Sequence, residues 1–406
     1  MSKTVCLHNG TVLTGFAAME RCAVLVENGL VSDVFSKRRF EQRCFDSAVR
    51  IVDVDGAYIA PGFIDTHIHG TGGYGTEDPV YCGGNPSEAG IEAVLAMSRL
   101  LAAQGVTAFN PTLYPSEPAL MLQTVKAIAS AKGKEKGARI MGLHLEGPFI
   151  SPYKLGVQRP ETVMPVDLDF MKKLWVASKG LIVNMTVAPE LKGMRELALF
   201  CIKKGIVLQA GHTDAHYENM VEGMQAGILH STHLFNAMSR LDHRNPNAVG
   251  AVLIHSEMSC EIIADGFHVH PDLLRLLLRD KPVDKIVLVT DSLKSTGQQQ
   301  GPLYANGEEV VFHDGAFHRV SDDVIAGSGL TMIQGIQNLT NEGFSLEDAV
   351  KTASFNPAQV MRYTKQGTII PGKLADITVF DRNFEIRMVM IGGNIVYGGN
   401  NEAYHT

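Results

Sequence analysis

Hydrophobic and polar positions alternate over short distances at both ends of the chain. Near the N-terminus, two apolar runs at 24–26 and 31–34 flank Asn28 and Gly29, a dipeptide that turns hairpins because it tolerates positive φ. Near the C-terminus, runs at 388–391 and 395–397 flank a Gly-Gly-Asn turn. The pattern predicts that residues 1–60 and 360–406 pair into one small β domain, a β-sandwich formed by both chain ends.

Between these ends, short apolar runs alternate with helical stretches. One stretch, 91–102, carries a mostly apolar stripe at helical spacing and ends before Gly105. Such alternation is typical of βα units around a parallel sheet. The runs predict eight strands, at 59–68, 106–113, 140–145, 182–187, 206–210, 230–235, 260–264 and 286–290. The predicted fold class is therefore α/β, with a (β/α)8 TIM-type barrel over residues 61–359.

A segment after the eighth predicted strand has β character instead. Residues 301–328 contain the turn dipeptides Asn306-Gly307 and Asp314-Gly315 between β-like flanks. Both dipeptides favour tight hairpin turns. We therefore predict a hairpin inserted after strand eight, at the rim of the barrel.

Composition and charge narrow the class of protein further. The 406 residues include 43 acidic and 36 basic side chains, giving a net charge of −7. No basic run extends beyond 37–39, so nucleic acid is not an expected partner. Six scattered cysteines contain no Cys-x-x-Cys pair, and neither a signal peptide nor an apolar stretch of membrane-spanning length is found. We expect a globular cytoplasmic protein with no membrane partner.

Metal-ligand side chains recur where the predicted barrel strands end. Barrel enzymes build their active sites at the carboxyl ends of strands, and alternation along strand one places His67 and His69 on one face. A single histidine at such a position is more often structural, but this recurrence is hard to explain as packing. Imidazole and carboxylate groups suit zinc and divalent iron or manganese. The sequence predicts a metal site from His67, His69, Glu146, His212, His233 and Asp291.

Asp291 supplies a group that can transfer protons beside this metal. A bound divalent ion acidifies water and polarises a carbonyl oxygen, which allows amide hydrolysis at neutral pH. A neighbouring carboxylate can take a proton from the attacking water and return it to the leaving amine. No Gly-x-Ser-x-Gly motif and no Walker loop competes for the role. Metal-dependent hydrolysis with Asp291 as the catalytic residue is the predicted chemistry.

The other histidines have structural interpretations. His144 could share a face with Glu146, but it lies deeper in its strand, so we expect it to pack beneath the site. His216 and His230 are expected to support the site or the fold. Histidines in turns and peripheral strands, including His313 and His318, are expected to be solvated.

Longer motifs around these residues resemble the amidohydrolase superfamily over essentially the whole chain. Two resemble the superfamily in general: PGFIDTHIHG at 61–70 and PGKLADITVFD at 371–381. Six resemble, in order, the family of N-acetylglucosamine-6-phosphate deacetylases: HLEGPF at 144–149, GHTDA at 211–215, THLFNAM at 232–238, ADGFHV at 264–269, VTDS at 289–292 and AGSGLTM at 326–332. The resemblance implies hydrolysis of N-acetylglucosamine 6-phosphate to glucosamine 6-phosphate and acetate in amino-sugar catabolism, with Asp291 as the catalytic aspartate.

The resemblance also implies a metal arrangement. Glu146, His212 and His233 would hold the catalytic divalent ion, and Glu146 stands where related amidohydrolases use a carboxylated lysine. Some family members have asparagine at the second position of the first motif and bind one ion. Here His67 and His69 are both histidine, which allows a second ion. Zinc is the first expectation, with iron, manganese or cobalt as alternatives.

The same resemblance implies how a small amino-sugar phosphate is bound. Asn236 and Ala237, with Arg244 in the following loop, would bind the 6-phosphate, which suits an arginine fork and backbone N–H donors. In the family this arginine reaches in from a neighbouring subunit, so a homodimer is implied, with Arg244 at the neighbouring active site. The other implied contacts are Val157, Gln158, Asp265, His268, Ile325, Ala326 and Gly327.

One position departs from the family pattern. Several members have a histidine about a dozen residues after the LEGP motif that helps to polarise the acetyl carbonyl. Here Gln158 stands at that place. A glutamine amide can donate a hydrogen bond but cannot carry the positive charge of an imidazole, so the metal is expected to do more of the polarisation.

Three alternatives remain open from the sequence. The galactosamine 6-phosphate epimer differs only at the C4 hydroxyl, which motif spacing cannot resolve. A cyclic amidase similar to dihydroorotase would need a carboxylated lysine where Glu146 stands. A catalytically silent assembly protein with the amidohydrolase fold is expected to have lost metal ligands, and this chain keeps them.

Overall fold

The computed structural model describes residues 4–81 and 84–398. The strands, in chain order, are β1 (Thr4–Leu13), β2 (Ala18–Glu27), β3 (Leu30–Ser36), β4 (Val49–Asp53), β5 (Tyr58–Pro61), β6 (Phe63–Ile68), β7 (Gly70–Thr71), β8 (Tyr74–Gly75), β9 (Val106–Leu113), β10 (Arg139–Ile140), β11 (Leu143–Glu146), β12 (Ile182–Val187), β13 (Val207–Ala210), β14 (His230–Ser231), β15 (Ser259–Ile262), β16 (Ile286–Leu288), β17 (Leu303–Ala305), β18 (Glu308–His313), β19 (Ala316–Arg319), β20 (Ile377–Phe380), β21 (Ile386–Ile391) and β22 (Asn394–Tyr397). The α-helices are α1 (Lys37–Gln42), α2 (Asp78–Tyr81), α3 (Pro86–Ala103), α4 (Pro118–Ala131), α5 (Leu168–Ala177), α6 (Met194–Lys203), α7 (Tyr217–Gln225), α8 (Asn247–Ile254), α9 (Pro271–Asp280), α10 (Met332–Asn341), α11 (Leu346–Thr352) and α12 (Phe355–Val360). Two 3-10 helices cover Pro160–Thr162 and Val283–Lys285.

Eight parallel strands form a nearly closed barrel, which confirms the predicted fold class. Their order is β6, β9, β11, β12, β13, β14, β15 and β16. The end of the last strand, β16, meets the first strand, β6, through a 2.9 Å hydrogen bond from the backbone N–H of Asp291 to the carbonyl of His67. Strands β6 and β9 are buried at every position, as expected where helices cover a parallel sheet. All eight strand ends therefore meet at one rim.

Two predicted strands are interrupted at glycines, so their predicted bounds were wrong. The run 59–68 divides at Gly62 into β5, which pairs with β20 outside the barrel, and β6, which pairs with β9. A Cβ at Gly62 would lie 2.1 Å from Oγ1 of Thr107, so only glycine allows this close approach. The run 140–145 divides at Gly142, where a Cβ would lie 1.9 Å from a methyl carbon of Val183.

Strands from both chain ends form a separate eight-stranded sheet, as predicted. Its order is β22, β21, β20, β5, β1, β2 and β3, with β4 pairing on β1. The predicted hairpins are present as β2–β3 and β21–β22. Buried residues such as Val24, Ile59, Val379 and Met388 form a core distinct from that of the barrel. The active rim of the barrel is thus built without the terminal sheet.

The segment after β16 forms a three-stranded sheet of β17, β18 and β19, one strand more than the predicted hairpin. Its Phe317 belongs to a buried cluster with Leu293, Tyr114 and Val157, which holds the insert against the rim. A 3.0 Å hydrogen bond from the Ala326 N–H to the Phe317 carbonyl ties the returning chain to β19. Within 4–81 and 84–398, none of the helices combines the length and apolar content needed to span a bilayer.

Candidate metal centre and active site

Six histidine and carboxylate side chains converge at the carboxyl ends of the barrel strands. They are buried and come from five strands and the residues that follow them: His67 and His69 at the end of β6, Glu146 at the end of β11, His212 after β13, His233 after β14 and Asp291 after β16. The structure thus brings together the six residues that the sequence predicted to share one site.

Glu146, His212 and His233 form the first candidate metal-binding group. Glu146 Oε1 lies 3.0 Å from Nε2 of His212 and 3.2 Å from Nε2 of His233, and the two Nε2 atoms are 3.2 Å apart. Tetrahedral zinc with ligands at 2.0–2.1 Å separates its ligand atoms by roughly 3.3–3.4 Å. The three atoms therefore fit around one divalent ion.

His67, His69 and Asp291 form the second candidate group. Asp291 Oδ1 lies 3.5 Å from Nε2 of His67 and 3.4 Å from Nε2 of His69. Glu146 stands between the groups, 3.4 Å from Nε2 of His67 through one oxygen and 3.3 Å from Nε2 of His69 through the other. The Nε2 of His67 is buried without a hydrogen-bond partner among the described residues. A cation is the partner that this set of donors suits.

Three of these residues have a left-handed backbone. The φ angles are 46° at His212, 23° at His233 and 49° at Asp291, a region that costs free energy for residues other than glycine. The sharp turns aim the three side chains back over the barrel mouth immediately after their strands end. Strain of this kind is concentrated at functional sites.

Charge in the site favours a cation. Burial alone would raise the pKa of Glu146, but the charge and hydrogen bond of His212 help to hold it well below its usual range. Burial lowers the pKa of His67, yet the charges of Asp291 and Glu261 outweigh burial and raise that pKa well above its usual value. The carboxylates are thus ionised and attract positive charge, either protons or a metal ion.

Glu261 supports the site from below and was missed by the sequence prediction. It lies in β15, is fully buried, and its Oε2 accepts a hydrogen bond from Nδ1 of His67 at 3.0 Å. The same oxygen accepts the backbone N–H of His233 at 3.3 Å. A proton held on Nδ1 leaves Nε2 of His67 free as a ligand, the usual role of a carboxylate behind a metal-bound histidine. In the sequence, the signal that could have revealed Glu261 was a carboxylate placed between apolar residues of a predicted strand.

A directed chain of hydrogen bonds leads to Glu261 through the barrel interior. The Tyr363 hydroxyl donates to the amide oxygen of Asn110 at 2.8 Å, and Asn110 donates to Asn184 at 3.2 Å. Asn184 donates to Gln209 at 2.7 Å, and Gln209 donates to Oε1 of Glu261 at 2.5 Å. Each amide in this chain donates to the next group, and the last donates to the carboxylate. Because an ionised carboxylate can only accept, Nδ1 of His67 carries the proton in its contact with the other oxygen of Glu261.

His144 and His230 lie in the barrel interior, where the sequence analysis expected structural roles for them. Nδ1 of His144 lies 3.1 Å from the hydroxyl of Thr112, and its Nε2 lies 2.9 Å from the hydroxyl of Thr186. Its ring packs edge-on beneath His67 at 4.6 Å. His230 is buried with its Nδ1 2.7 Å from the Ser259 hydroxyl. These residues brace the barrel and do not reach the cavity.

A cavity of about 360 Å³ lies above the two metal-binding groups. Most of the predicted substrate residues line it: Val157, Gln158, Asn236, Ala237, His268, Ile325 and Gly327. Asp265 instead holds His268, with its Oδ2 2.6 Å from Nδ1. Ala326 is buried behind the wall, and Arg244 is exposed in the loop before α8, away from the cavity of its own chain.

Two further residues of the site were missed by the sequence prediction. Tyr114 stacks on His69 with ring centroids 3.7 Å apart, and it follows β9 directly. Its place at a strand end was therefore the same signal that identified the ligands. Glu77 is buried near Lys294, and burial raises its pKa to about 7 despite the lysine charge. It follows no barrel strand, so that signal could not reveal it.

Gln158 makes a contact that the sequence could not predict. Its Nε2 donates a 2.6 Å hydrogen bond to Oε2 of Glu146, and the residue is almost completely buried. The hydrogen bond directs the carboxylate towards the metal-binding groups. At least one amide hydrogen of Gln158 is therefore committed to a metal ligand, and the side chain also lines the cavity.

An α/β barrel with buried imidazole and carboxylate groups for divalent ions at its rim defines a metal-dependent hydrolase of the barrel class. The profile of the Amidohydrolase family matches residues 58–396. The chain belongs to the amidohydrolase family, whose enzymes are metal-dependent.

Similar proteins include several deacetylases. The chain is 31% identical to the N-acetylglucosamine-6-phosphate deacetylase of Bacillus subtilis (strain 168), over 98% of both chains. It is 28% identical to the N-acetylgalactosamine-6-phosphate deacetylase of Escherichia coli O157:H7, over 86% of this chain and 90% of that one. The solved structure of a variant of the Mycobacterium smegmatis N-acetyl-D-glucosamine-6-phosphate deacetylase, in complex with N-acetyl-D-glucosamine-6-phosphate, is similar with a TM-score of 0.85. The match has 27% identity and covers 97% of this chain and 99% of that one.

We predict that Glu261→Gln weakens cation binding at the His67 and His69 group. Glu261 accepts from His67 at one oxygen and from Gln209 at the other, whereas a glutamine offers one acceptor oxygen and no charge. Nδ1 of His67 therefore loses its charged acceptor, and Nε2 becomes a weaker ligand. Loss of such a supporting carboxylate lowers metal affinity by about 10-fold to 100-fold. Cobalt titration followed by its visible absorption spectrum measures the change directly.

The matched control is Glu257→Gln, which removes an exposed carboxylate just before β15. Equal cobalt affinities in the two variants, with unchanged thermal midpoints, would show that Glu261 does not position His67.

Proposed function

We propose that this chain is a metal-dependent deacetylase that hydrolyses the acetamide of N-acetylglucosamine 6-phosphate to glucosamine 6-phosphate and acetate, in amino-sugar catabolism. The observation that carries the proposal is the cavity itself. Its floor is formed by residues of both metal-binding groups, Asp291 included, and its walls hold most of the residues expected to bind the sugar phosphate. The deacetylases that the chain matches over nearly its full length support the same substrate.

We propose zinc as the resident ion, held by Glu146, His212 and His233, with a second ion at His67, His69 and Asp291 when that group is filled. Iron, manganese and cobalt suit the same donors. When bound, the divalent ion supplies Lewis-acid polarisation of the acetyl carbonyl and lowers the pKa of the attacking water. The complete ligand set also separates this chain from a catalytically silent assembly protein.

Asp291 is the group that moves the proton. Burial raises the pKa of Asp291, but the neighbouring His67 and His69 outweigh burial and hold the pKa below its usual range. The carboxylate is therefore ionised at neutral pH and can accept a proton from the attacking water. It then returns that proton to the nitrogen of the leaving amine, so one side chain acts first as base and then as acid.

His268 lies at the proposed phosphate-binding end of the cavity, in the wall that also contains Asn236 and Ala237. Burial lowers the pKa of His268, but the hydrogen bond and charge of Asp265 outweigh burial and raise it above its usual value, which favours the protonated ring. An imidazole N–H and backbone N–H groups are donors that suit a phosphate dianion. Asn236 itself donates to backbone carbonyls of the turn after β14, which holds that turn in place at the cavity wall.

Arg244 completes the phosphate site from a second subunit in this proposal. The side chain is exposed, and the backbone N–H of Arg244 bonds the Asp242 carboxylate at 2.8 Å. This contact holds the loop in a turn, and Arg244 is not among the described residues that line the cavity of its own chain. A two-fold symmetric homodimer would place each loop at the neighbouring cavity.

The galactosamine epimer is the second candidate substrate. The 28% identity to an N-acetylgalactosamine-6-phosphate deacetylase favours it specifically. The two sugars differ at one hydroxyl, and a site that hydrogen-bonds a hydroxyl can reject an analogue that misplaces it. Relative rates on the two epimers decide between them.

The primary test measures amine release by the zinc-loaded protein from N-acetylglucosamine 6-phosphate, its galactosamine epimer and the unphosphorylated sugar. We expect the first to react fastest and the unphosphorylated sugar slowest. Asp291→Asn should lower kcat by about 100-fold to 10,000-fold, the usual contribution of general acid–base catalysis. Absence of amine release from all three sugars, with metal bound, would overturn the proposed substrate.

The homodimer is tested by mixing two inactive variants. Arg244→Ala leaves Asp291 intact, and Asp291→Asn leaves Arg244 intact, so a mixed dimer contains one complete site if the arginine acts across the interface. Random reassociation of equal amounts should restore about a quarter of wild-type activity. A mixture no more active than its two components would place Arg244 outside the neighbouring site.

Gln158→Ala should lower turnover more than substrate binding. The substitution removes a hydrogen bond to an ionised metal ligand, so we expect kcat to fall roughly 10-fold to 100-fold with KM changed less than about threefold. Gln300→Ala, in an exposed loop, is the control. An unchanged kcat in the Gln158 variant would remove this residue from the catalytic machinery.

A further inference from the structure

A second histidine and carboxylate cluster lies on the inserted sheet, outside the cavity. It consists of His313 at the end of β18, His318 in β19 and Asp323 in the loop that follows. Asp323 Oδ1 lies 3.5 Å from Nε2 of His313 and 3.2 Å from Nδ1 of His318. These separations match the roughly 3.3–3.4 Å between ligand atoms around tetrahedral zinc. The expectation that both histidines are merely solvated is therefore incomplete.

The hairpin brings the two imidazoles together. Residue 311 pairs with 318 and 313 pairs with 316 across the antiparallel strands, so His313 and His318 are diagonal neighbours on one face. Their rings stack with centroids 3.9 Å apart. Stacked rings direct their lone pairs side by side, so one ring must tilt for both to face the same ion. His313 can tilt readily because its side chain is 42% exposed.

Neighbouring groups leave suitable nitrogens available. A carboxylate oxygen of Asp314 lies 3.3 Å from Nδ1 of His313 and can accept a hydrogen bond from it. This leaves Nε2 of His313 as the ligand atom. Nδ1 of His318 lies 3.4 Å from the Asp323 carbonyl, a long contact that a bound ion would replace. The backbone of Asp323 is left-handed, with φ 60°, and this turn directs the carboxylate back towards the two rings.

We propose that His313, His318 and Asp323 bind a divalent transition-metal ion of the zinc type, distinct from the ions of the catalytic centre. Two imidazoles and one carboxylate suit zinc, and an exposed three-ligand site leaves the remaining position to water. The catalytic centre lies in the barrel, whereas these three ligands all belong to the insert and the loop after it. Binding of the peripheral ion can thus be measured separately from the proposed deacetylase activity.

Binding at this cluster would reach the cavity wall through the backbone. The loop after β19 folds back on the strand, with hydrogen bonds from the Arg319 N–H to the Val324 carbonyl at 2.9 Å and from the Ala326 N–H to the Phe317 carbonyl at 3.0 Å. Val324, Ile325 and Gly327 then line the cavity. An ion that joins Asp323 to β18 and β19 restrains this wall segment. The cluster therefore couples free metal concentration to the mobility of one side of the active cavity.

The test compares two asparagine variants of the same insert. Asp323→Asn removes a charged ligand, whereas Asp314→Asn changes an exposed carboxylate outside the ligand set and keeps an amide oxygen that can still accept the hydrogen bond from Nδ1 of His313. Both positions have left-handed backbones, 60° and 49°, which asparagine tolerates. The protein is first loaded at its catalytic centre and dialysed, and Zn²⁺ is then titrated calorimetrically.

We expect the wild type and Asp314→Asn to bind one more zinc ion per chain than Asp323→Asn, whose affinity at this site falls about 10-fold to 100-fold. His318→Gln should reproduce the loss. In the wild type, added zinc should slow amide hydrogen exchange over 319–327, with no change in Asp323→Asn. Identical zinc binding and exchange in all variants would overturn the proposal, whatever the deacetylase assay shows.

Discussion

The carboxylate of Glu146 is the constraint on which the site depends. A buried carboxylate is costly unless hydrogen bonds or positive charge compensate it. Here the compensation comes from side chains at three other strand ends and in one loop: His67, His69, Gln158, His212 and His233. Barrel closure delivers these groups to one point, because parallel strands end at a common rim. The same concentration of negative charge makes the site a cation receptor.

An ordered chain of hydrogen bonds continues below the metal-binding groups, in the barrel interior. Between Tyr363 and Glu261, the barrel interior contains amide side chains, whose donors and acceptors are fixed and do not titrate near neutral pH. Each amide donates to the next group, and Gln209 donates to one oxygen of Glu261. The other oxygen of Glu261 then contacts Nδ1 of His67, so the barrel interior helps to orient the carboxylate that holds this ring. Above the metal-binding groups, Gln158 restrains Glu146 from the opposite side.

The extent to which the sequence predicts this site follows from where each residue lies. Strand ends are visible as a change from apolar to polar residues, so the six converging side chains were predicted together. Glu261 faces the barrel interior from within a strand. The periodicity of the sequence does not reveal that it contacts His67 on another strand. Gly62 and Gly142 break strands because of contacts with other strands, which are set by the packed fold. Arg244 is the extreme case, because a single chain does not contain its proposed contact.

The terminal sheet has a consequence for how the chain is synthesised and folded. Strand β5 pairs with β20, more than three hundred residues later, and it lies between strands from the two ends of the chain. The ribosome therefore releases β5 long before β20 exists, so one edge of β5 remains unpaired, although β1 to β4 already have partners among themselves. Such edges invite association with other chains. Completion of this sheet is thus a late step in folding. Its last strands pair only after all the barrel strands have been synthesised.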